Sequence, residues 1–321
     1  MIKALKKLKN NIRLKNILKY ENQLYMANCN DRITDDLLID EREIIILSHT
    51  IEKGLSHKNI KPLFGKDAVS TLLNCLIAYN KYNEKDSYVL ELGTSIIKEY
   101  IEANKKVGVA CDALPILPEE LKQYANINVG AEIFKVDDLF ADCSDKFDSF
   151  ALSRKSVRLY DQCSLPINYE EIIDSIRIAQ YSPSACNRQA VRVRIITDAD
   201  QIKKISEIQK GSRGFGTNAG AMILVFSDLR YYRIHERRLP MFDAGLFAMS
   251  LVYSLFSKKI GTCILNGSFE RCQMNELKRV VNIKSYEMLA TIITLNKMND
   301  CDEIKVAKST RKELDRIIDA F

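Results

Sequence analysis

The spacing of apolar residues divides the chain into two parts. Up to about residue 146, apolar residues recur mostly every three or four positions, which is typical of helices. This spacing predicts helices at 34–55, 67–82 and 87–103, followed by a short strand near 107–110. Beyond residue 150 predicted helices and β-rich runs alternate, with helices at 169–180, 199–209, 241–258 and 273–281 and strands at 190–197, 221–227 and 287–295. We therefore predict a mostly helical extension over residues 1–146 and an α+β domain over residues 147–321.

Local signals support two of these elements. Thr34 precedes Asp35 and Asp36, a pattern typical of a helix N-terminus, where a hydroxyl caps the first turn and acidic side chains favour the helix dipole. The same helix is expected to end near Gly54. Residues 221–227 form an apolar run, as expected of a strand that is buried on both faces.

The formal charge of +6 is concentrated at the N-terminus. Residues 1–20 carry seven basic side chains and no acidic one, whereas the other 301 residues carry 41 basic and 42 acidic side chains. This nearly neutral body is not expected to bind nucleic acid, because basic side chains hold phosphate backbones. The basic arm is helix-prone, and we favour an amphipathic helix that docks on its own protein or on a second subunit. Peripheral contact with an anionic membrane surface is the alternative.

Composition excludes several classes of protein. No run of about 18 apolar residues predicts a transmembrane helix, and no apolar core near the N-terminus predicts a signal peptide. The nine cysteines are scattered without a Cys-x-x-Cys pair, which indicates a reduced, cytoplasmic protein. Because only His49, His57 and His235 are present, neither a metal site nor a Ser/Cys–His triad is expected.

Three clusters in the α+β domain carry candidate chemistry. In residues 153–158, Arg154, Ser156 and Arg158 alternate, so an extended backbone places them on one face. Two guanidinium groups and a hydroxyl suit a phosphate, and an ordinary solvated run is the alternative. Residues 181–189 are rich in small side chains and in carboxamides, which both donate and accept hydrogen bonds. The third cluster is basic and lies near the C-terminus: Lys305, Lys308, Ser309, Arg311 and Lys312.

Taken in this order, the three clusters resemble the FMN-dependent nitroreductase family over about residues 147–321. The most specific part is the linked pair 153–158 and 182–189. Residues 243–256 and 261–267 are similar to the family's central dimer-core helix and to the strand and loop beside its flavin ring. The resemblance implies a three-layer α-β-α sandwich around a central, mainly antiparallel sheet, preceded here by the helical extension. It also implies a homodimer with FMN at the subunit interface.

The resemblance further implies roles for individual residues. The residues that match the family's ligands of the ribityl phosphate are Arg154, Ser156, Arg158, Lys308 and Arg311. The residues that match the segment laid against the flavin ring by the other subunit are Pro183, Ser184 and Ala185, with Asn187 and Gln189 in the same motif to bond the flavin or brace the loop. Asn266 and Gly267 match the loop whose backbone N–H points towards flavin N5.

The sequence departs from the family's pattern at residues 211–216. Many members have an asparagine here that bonds the pyrimidine edge of the flavin, whereas this chain has Ser212 and Arg213. Serine is too short to replace asparagine directly, so Arg213 or a bridging water is expected to substitute. Three glycines within these six residues predict a flexible loop over the pocket.

The function implied by the resemblance is that of an FMN-dependent oxidoreductase. It would pass hydride from NADH or NADPH through flavin N5 to a small acceptor such as a nitro compound or a quinone, without a catalytic side chain. Two alternatives stay open: a flavin-binding protein without turnover, and a specialised flavoenzyme of surface-polysaccharide metabolism. The second rests on residues 49–55 and 62–65, which resemble an extension in some nitroreductase-like proteins of polysaccharide gene sets.

A few reactive side chains lie outside this scheme. His49, Glu52 and Lys53 share one face of a predicted helix, where they either bind an acidic or sugar substrate or, as we favour, pair with one another. Cys186 and Cys263 fall inside the matched motifs, and we favour buried fillers over redox thiols.

Overall fold

The computed structural model describes residues 2–29, 34–57, 59–133, 146–158 and 166–298, together with positions 306–307, 309, 311, 313–314 and 317–318 of the C-terminal tail. This part of the chain contains ten α-helices and four β-strands. The helices are α1 (Ile2–Asn28), α2 (Asp36–Leu55), α3 (Lys66–Tyr79), α4 (Ser87–Lys106), α5 (Glu119–Lys122), α6 (Lys146–Ser153), α7 (Tyr169–Ala179), α8 (Ala199–Gln209), α9 (Leu239–Ser257) and α10 (Arg271–Val280). The strands are β1 (Val191–Ile196), β2 (Ala221–Asp228), β3 (Ile260–Asn266) and β4 (Glu287–Lys297).

The central sheet has the strand order β1-β2-β4-β3, and all three pairings are antiparallel. Every residue of β2 is buried, which confirms the strand predicted from its apolar run. Alternate residues of β2 enter different cores, because successive side chains of a strand point to opposite faces. Leu224 and Phe226 pack with side chains of α8 and α10, and Ile223 packs with side chains of α7 and α9. Helices therefore cover both faces, and the predicted three-layer α-β-α sandwich is confirmed.

The helices of the N-terminal part form a layer of their own. Helices α2, α3 and α4 contact one another around a core that includes Ile44, Leu76 and Ile96. The same core continues into the α+β part, where Tyr231 and Tyr232 belong to it. Helices continue past residue 146 as α6 and α7, the first strand begins at Val191, and apolar packing joins the two parts of the chain. The boundary at residue 146 stays a prediction.

The basic arm forms most of helix α1. Its last turns pack on the protein, because Tyr25 and Cys29 are buried and the Tyr25 hydroxyl donates a hydrogen bond to the carbonyl of Arg233 at 2.5 Å. Arg13 forms an ion pair with Glu270, just before α10. Apolar side chains of the preceding turns are exposed, among them Leu8, Ile12, Leu14 and Leu18. The residues that follow the arm thus pack on the protein, and docking of residues 1–20 themselves stays a prediction that the Arg13–Glu270 ion pair supports.

Three local predictions differ from the structure. The strand near 107–110 is wrong, because Gly108 has a φ of +87° and the N–H of Val109 donates to the carbonyl of Asn104 at 3.0 Å, which closes the end of α4 as a turn. Helix α2 begins at Asp36 with Asp35 rather than Thr34 in the N-cap position. Helix α6 lies where no helix was predicted, since its eight residues are too few to show a clear period.

Helix α9 is the most apolar helix in the described part of the chain. By length and composition it is the only helix there that suffices to span a membrane, and half of its apolar window is buried inside the protein. It contacts α7 and the strands β2, β3 and β4. These contacts are those of a core helix.

Candidate functional site

The arginine segment, residues 154–158, runs along the outer edge of β3. Ser156 forms a parallel bridge with Thr262, and the N–H of Val157 donates to the carbonyl of Thr262 at 2.9 Å. Val157 is buried in the sheet core, whereas Arg154 and Ser156 are half-buried and Arg158 is exposed. The predicted alternation is therefore present, with the valine facing inwards and the two arginines and the serine facing away from the core.

The two arginines of this segment influence the thiol of Cys263 on β3 by their charge. Burial raises the pKa of the Cys263 thiol, and the nearby charges of Arg158 and Arg154 oppose that rise. Arg158 also hydrogen-bonds the thiol. Because the thiol is 1% exposed and protonated at neutral pH, it neutralises neither arginine. The interpretation of Cys263 as a buried filler is confirmed, whereas Cys186 is only half-buried.

The exit of β3 is shaped by backbone contacts. A Cβ atom at Gly267 would lie 2.5 Å from the carbonyl oxygen of Ala290, so this approach to β4 requires glycine. The amide of Asn266 closes the turn, since its Oδ1 accepts from the N–H of Ser268 at 2.9 Å and its Nδ2 donates to the carbonyl of Ser268 at 3.2 Å. The side chain of Asn266 therefore holds the loop. The contact with flavin N5 that the resemblance implies would be made by a backbone N–H group.

The loop at residues 211–216 lies next to this exit. The Nε2 of Gln209 donates to the carbonyl of Asn266 at 3.3 Å, and its Oε1 accepts from the N–H of Gly211 at 2.7 Å. These bonds join the end of α8 to the end of β3. The loop and the Asn266–Gly267 turn are thus neighbours in one chain.

Within this loop the structure separates Ser212 from Arg213. Ser212 is 1% exposed, and its hydroxyl has no hydrogen-bond partner. It faces Gly216, where an added Cβ would lie 2.4 Å from the Ser212 hydroxyl and 2.8 Å from that of Ser206, which is also buried and unpartnered. Arg213 is exposed and, like Ser212, lines a cavity of about 340 Å³. Of the two side chains, only that of Arg213 is exposed to solvent.

Residues 182–189, named the flavin loop here after the role that the resemblance implies, lie at the opposite edge of the sheet. It leads directly into β1, and three strand spacings of about 4.8 Å, roughly 14 Å in all, separate β1 from β3. Ser184 accepts a hydrogen bond from the N–H of Gln189 at 3.0 Å, and the N–H of Ala185 donates to Asp243 at 3.2 Å. Pro183, Asn187 and Gln189 are exposed. Within one chain the arginine segment, the Asn266–Gly267 turn and the loop at residues 211–216 therefore lie at the β3 edge of the sheet. The flavin loop lies at the β1 edge.

Arg188, inside this loop, was missed by sequence reasoning and proves to be its main anchor. It is 3% exposed and forms a bidentate ion pair with Glu236, with Nη1 at 2.7 Å and Nη2 at 3.0 Å from the carboxylate oxygens. It also donates to the carbonyls of Ala185 at 2.8 Å and Tyr231 at 2.7 Å. Burial would raise the pKa of Glu236, but the hydrogen bond and charge of Arg188 outweigh burial and lower it. The sequence offers no signal for this role, because burial of Arg188 and its pairing with Glu236 depend on the fold.

A comparison with sequence families matches one part of this chain. The Nitroreductase family model matches residues 151–213. This range includes the arginine segment, the flavin loop and Ser212. The comparison with curated proteins gave no match.

Solved structures of nitroreductase-like proteins are similar to about half of this chain. A Nitroreductase Family Protein from Streptococcus pneumoniae is 20% identical over 55% of this chain and 100% of its own, with a TM-score of 0.46. An FMN-dependent nitroreductase from Clostridium difficile is 17% identical over 50% of this chain and 91% of its own, with a TM-score of 0.42. A nitroreductase-like protein from Streptococcus mutans is 16% identical over 55% of this chain and 98% of its own, with a TM-score of 0.46.

The remaining residues implied by the nitroreductase resemblance lie in the C-terminal tail. Arg311 is exposed and donates a hydrogen bond to the carbonyl of Ser309 in the same tail. Lys308 lies outside the described residues. Their closure of a phosphate site from the C-terminal side stays a prediction.

The histidine cluster of the extension pairs internally. The Nδ1 of His49 lies 3.4 Å from Oε2 of Glu52, and the N–H of Gly130 donates to Oε1 of the same glutamate at 3.4 Å. Lys53 is exposed on α2. These contacts favour the structural interpretation over a substrate site. Within the described residues, no group of three or more His, Cys, Asp or Glu side chains is placed to hold a metal ion.

Proposed function

We propose that this chain is an FMN-dependent oxidoreductase that passes hydride or electrons from NADH or NADPH to a small acceptor such as a nitro compound or a quinone. The observation that carries the proposal is the arginine segment, which lies inside the matched range, is held on β3 by the bridge from Ser156 to Thr262, and leaves Arg154 and Arg158 partly or fully exposed. Within the described part of the chain, neither Arg154 nor Arg158 forms an ion pair with a carboxylate. Their charges therefore remain available to an anion.

The residues present fit a flavin phosphate. Arg154, Ser156 and Arg158 would hold it, because arginine and serine donate to phosphate oxygens in the manner that an extended segment allows. Arg213 would face the pyrimidine edge of the ring, and its charge would favour negative charge there. FMN, when bound, supplies the redox chemistry, with the nicotinamide as reductant. The chain's own contribution is binding, orientation and positive charge.

Absorbance and fluorescence titration of the purified protein with FMN tests this function. We expect the protein to bind FMN and to bleach its visible absorbance when NADH or NADPH is added without oxygen. The double variant R154A/R158A should bind FMN at least 100-fold more weakly, because each charge-assisted hydrogen bond contributes about 1.5–3 kcal/mol.

The matched control for this titration is R177A. Arg177 is an exposed arginine of α7 that pairs with Asp174, so its removal should leave FMN affinity unchanged. A protein that takes up no FMN, or a double variant that binds FMN as tightly as the wild type, would contradict the proposal. Binding of FMN without reduction by either nicotinamide would instead support the second candidate, a flavin-binding protein without turnover, which the inward-facing Ser212 favours.

A homodimer through α9 is part of the same proposal. An apolar stripe remains partly or fully exposed on this helix, at positions spaced by four and three residues: Phe242, Leu246, Met249, Tyr253 and Phe256. Tyr253 and Phe256 contact the rings of Phe147 and Phe150 on α6, so the open part of the stripe runs from Phe242 to Met249. An exposed apolar surface on a core helix is typical of a surface that a partner covers. A partner packed here would also supply the flavin loop, which this chain holds away from its own arginine segment.

Analytical ultracentrifugation tests the dimer. We expect a dimer at micromolar concentration, and we expect F242E to shift it towards the monomer, because Phe242 is 62% exposed and a charge there would be buried on association. S257E, at the exposed end of α9, is the control and should leave the dimer intact. A wild-type protein that sediments as a monomer would exclude this arrangement.

A further inference from the structure

The flavin loop adopts a backbone that its own sequence disfavours. Cys186, Asn187 and Gln189 have φ values of +50°, +51° and +50°, in the left-handed region. Asparagine tolerates this region, whereas cysteine and glutamine carry a steric penalty there. Such a conformation persists only where surrounding structure determines it. Hydrogen bonds within the loop join Ser184 to Asn187 and to Gln189, and further contacts join the loop to the rest of the protein.

The first of these contacts leads from the loop to Tyr231. Arg188 donates from Nε to the carbonyl of Ala185 at 2.8 Å and from Nη1 to the carbonyl of Tyr231 at 2.7 Å. One guanidinium group thus joins the turn of the loop to the backbone of Tyr231. The position of Tyr231 consequently sets the position of Arg188.

Tyr231 is in turn held by the N-terminal helical layer. Its hydroxyl donates a short hydrogen bond to the carboxylate of Glu41 on α2, and its ring is 6% exposed within the core of α2, α3 and α4. The guanidinium group of Arg192 lies over the same ring at 5.5 Å. Helix α2 also contacts the turn Ala185–Asn187 directly. An uninterrupted series of contacts therefore runs from Glu41 through Tyr231 and Arg188 to Ala185.

We propose that Glu41 and Tyr231 are positioning residues through which the N-terminal helical layer sets the shape of the flavin loop. This inference rests on the proposed function, in which the loop is laid against the flavin ring of the partner subunit. In this proposal the extension touches neither cofactor nor substrate. It fixes the strained loop through contacts on the side of the loop that faces α2. Glu41 and Tyr231 would then control the conformation of the loop and, through it, the binding of the flavin.

The test compares Y231F with Y82F. Tyr82 is a suitable reference because its hydroxyl donates to the carboxylate of Asp40 at 3.2 Å, next to Glu41 on the same helix, and it has no described contact with the flavin loop. Hydrogen–deuterium exchange is measured by mass spectrometry on the full-length protein without added flavin. The probes are the N–H groups of Ala185, Asn187, Arg188 and Gln189, which all donate hydrogen bonds in the structure.

We expect Y231F to accelerate exchange at these amides by roughly tenfold, the effect of losing about one hydrogen bond. Y82F should leave their exchange unchanged. E41L should reproduce Y231F, whereas E41Q should stay close to the wild type because its amide oxygen still accepts the tyrosine proton. Urea unfolding of each variant identifies any global destabilisation, which would raise exchange throughout the chain instead of in the loop.

A second readout addresses the flavin-bound protein. Y231F should change the visible circular dichroism of bound FMN and raise KM for the nicotinamide more than it lowers kcat, while Y82F should do neither. If the wild type binds no FMN, the proposed function fails, and the exchange experiment still decides whether α2 sets the loop. If FMN binds but Y231F matches Y82F in both exchange and circular dichroism, this inference alone is overturned.

Discussion

At the β1 edge of the sheet Arg188 and Arg194 face carboxylates, whereas at the β3 edge Arg158 faces a thiol. Arg188 pairs with Glu236, and Arg194 pairs with Glu287 at 2.6 Å. Arg158 instead hydrogen-bonds the neutral thiol of Cys263, and Arg154 lies near enough to influence that thiol by its charge. Both edges are rich in arginine, so composition alone does not distinguish them. The partner of each guanidinium group distinguishes them. A guanidinium group that is paired with a carboxylate serves the fold, whereas one without a carboxylate is available to a ligand.

The largest effect that follows from this comparison concerns stability. R188M should lower the free energy of unfolding by about 3–5 kcal/mol, because it leaves the carboxylate of Glu236 without its buried partner. The double variant R188M/E236M should recover most of this loss. Urea denaturation measures both. R158M is the control at the other edge, and an equal loss there would remove the distinction between the two edges.

A smaller effect separates the two residues of the 211–216 loop. S212A should leave FMN affinity unchanged and keep or raise the free energy of unfolding by up to about 1 kcal/mol, because it removes a buried hydroxyl that has no partner. R213A should weaken FMN binding by roughly tenfold, as expected for one charge-assisted contact. The same fluorescence titration measures both variants. A tenfold loss of affinity in S212A would show that the serine, not the arginine, serves the ligand.

The smallest effect is a pair of opposite pH dependences at the β1 edge. The pKa of Glu236 is lowered in the folded protein, so its contribution to stability is present above the unfolded pKa near 4.5 and is lost as the pH falls through the folded value. Burial raises the pKa of Glu41 despite its bond to Tyr231 and the nearby Arg230 and Arg192, so ionisation of Glu41 costs stability as the pH rises above about 4.5.

Unfolding free energies between pH 3 and pH 7 check this sign difference. The stability of the wild type relative to E236Q should increase with pH, and that of the wild type relative to E41Q should decrease. Slopes of the same sign for both comparisons would contradict the assignment of the two carboxylates.

Much of the architecture could be predicted from the sequence because it depends on local periodicity. Strand β2 and helices α4 and α9 show a clear apolar pattern, and the structure has each of them close to the predicted range. The false strand at 107–110 shows the limit of this reasoning. Two valines suggested a strand, while Gly108 and the carbonyl of Asn104 formed a turn.

The candidate site was predictable where one segment supplies it, and less so where distant segments meet. The alternation of Arg154, Ser156 and Arg158 follows from a single extended segment. The pairing of Arg188 with Glu236 joins residues that are 48 positions apart, and the bond from Tyr231 to Glu41 spans 190. No periodicity reports such contacts, so the anchor of the flavin loop and its link to α2 emerge only from the fold.

The placement of the arginine segment and the flavin loop at opposite edges of one sheet has a genetic consequence. In the proposed dimer each site takes its arginines from one chain and its loop from the other. A chain altered at Arg154 and Arg158 and a chain altered at residues 183–185 would each be inactive alone. Their mixed dimer would contain one site with both defects and one with none, so an equal mixture of the two would regain about a quarter of the wild-type sites.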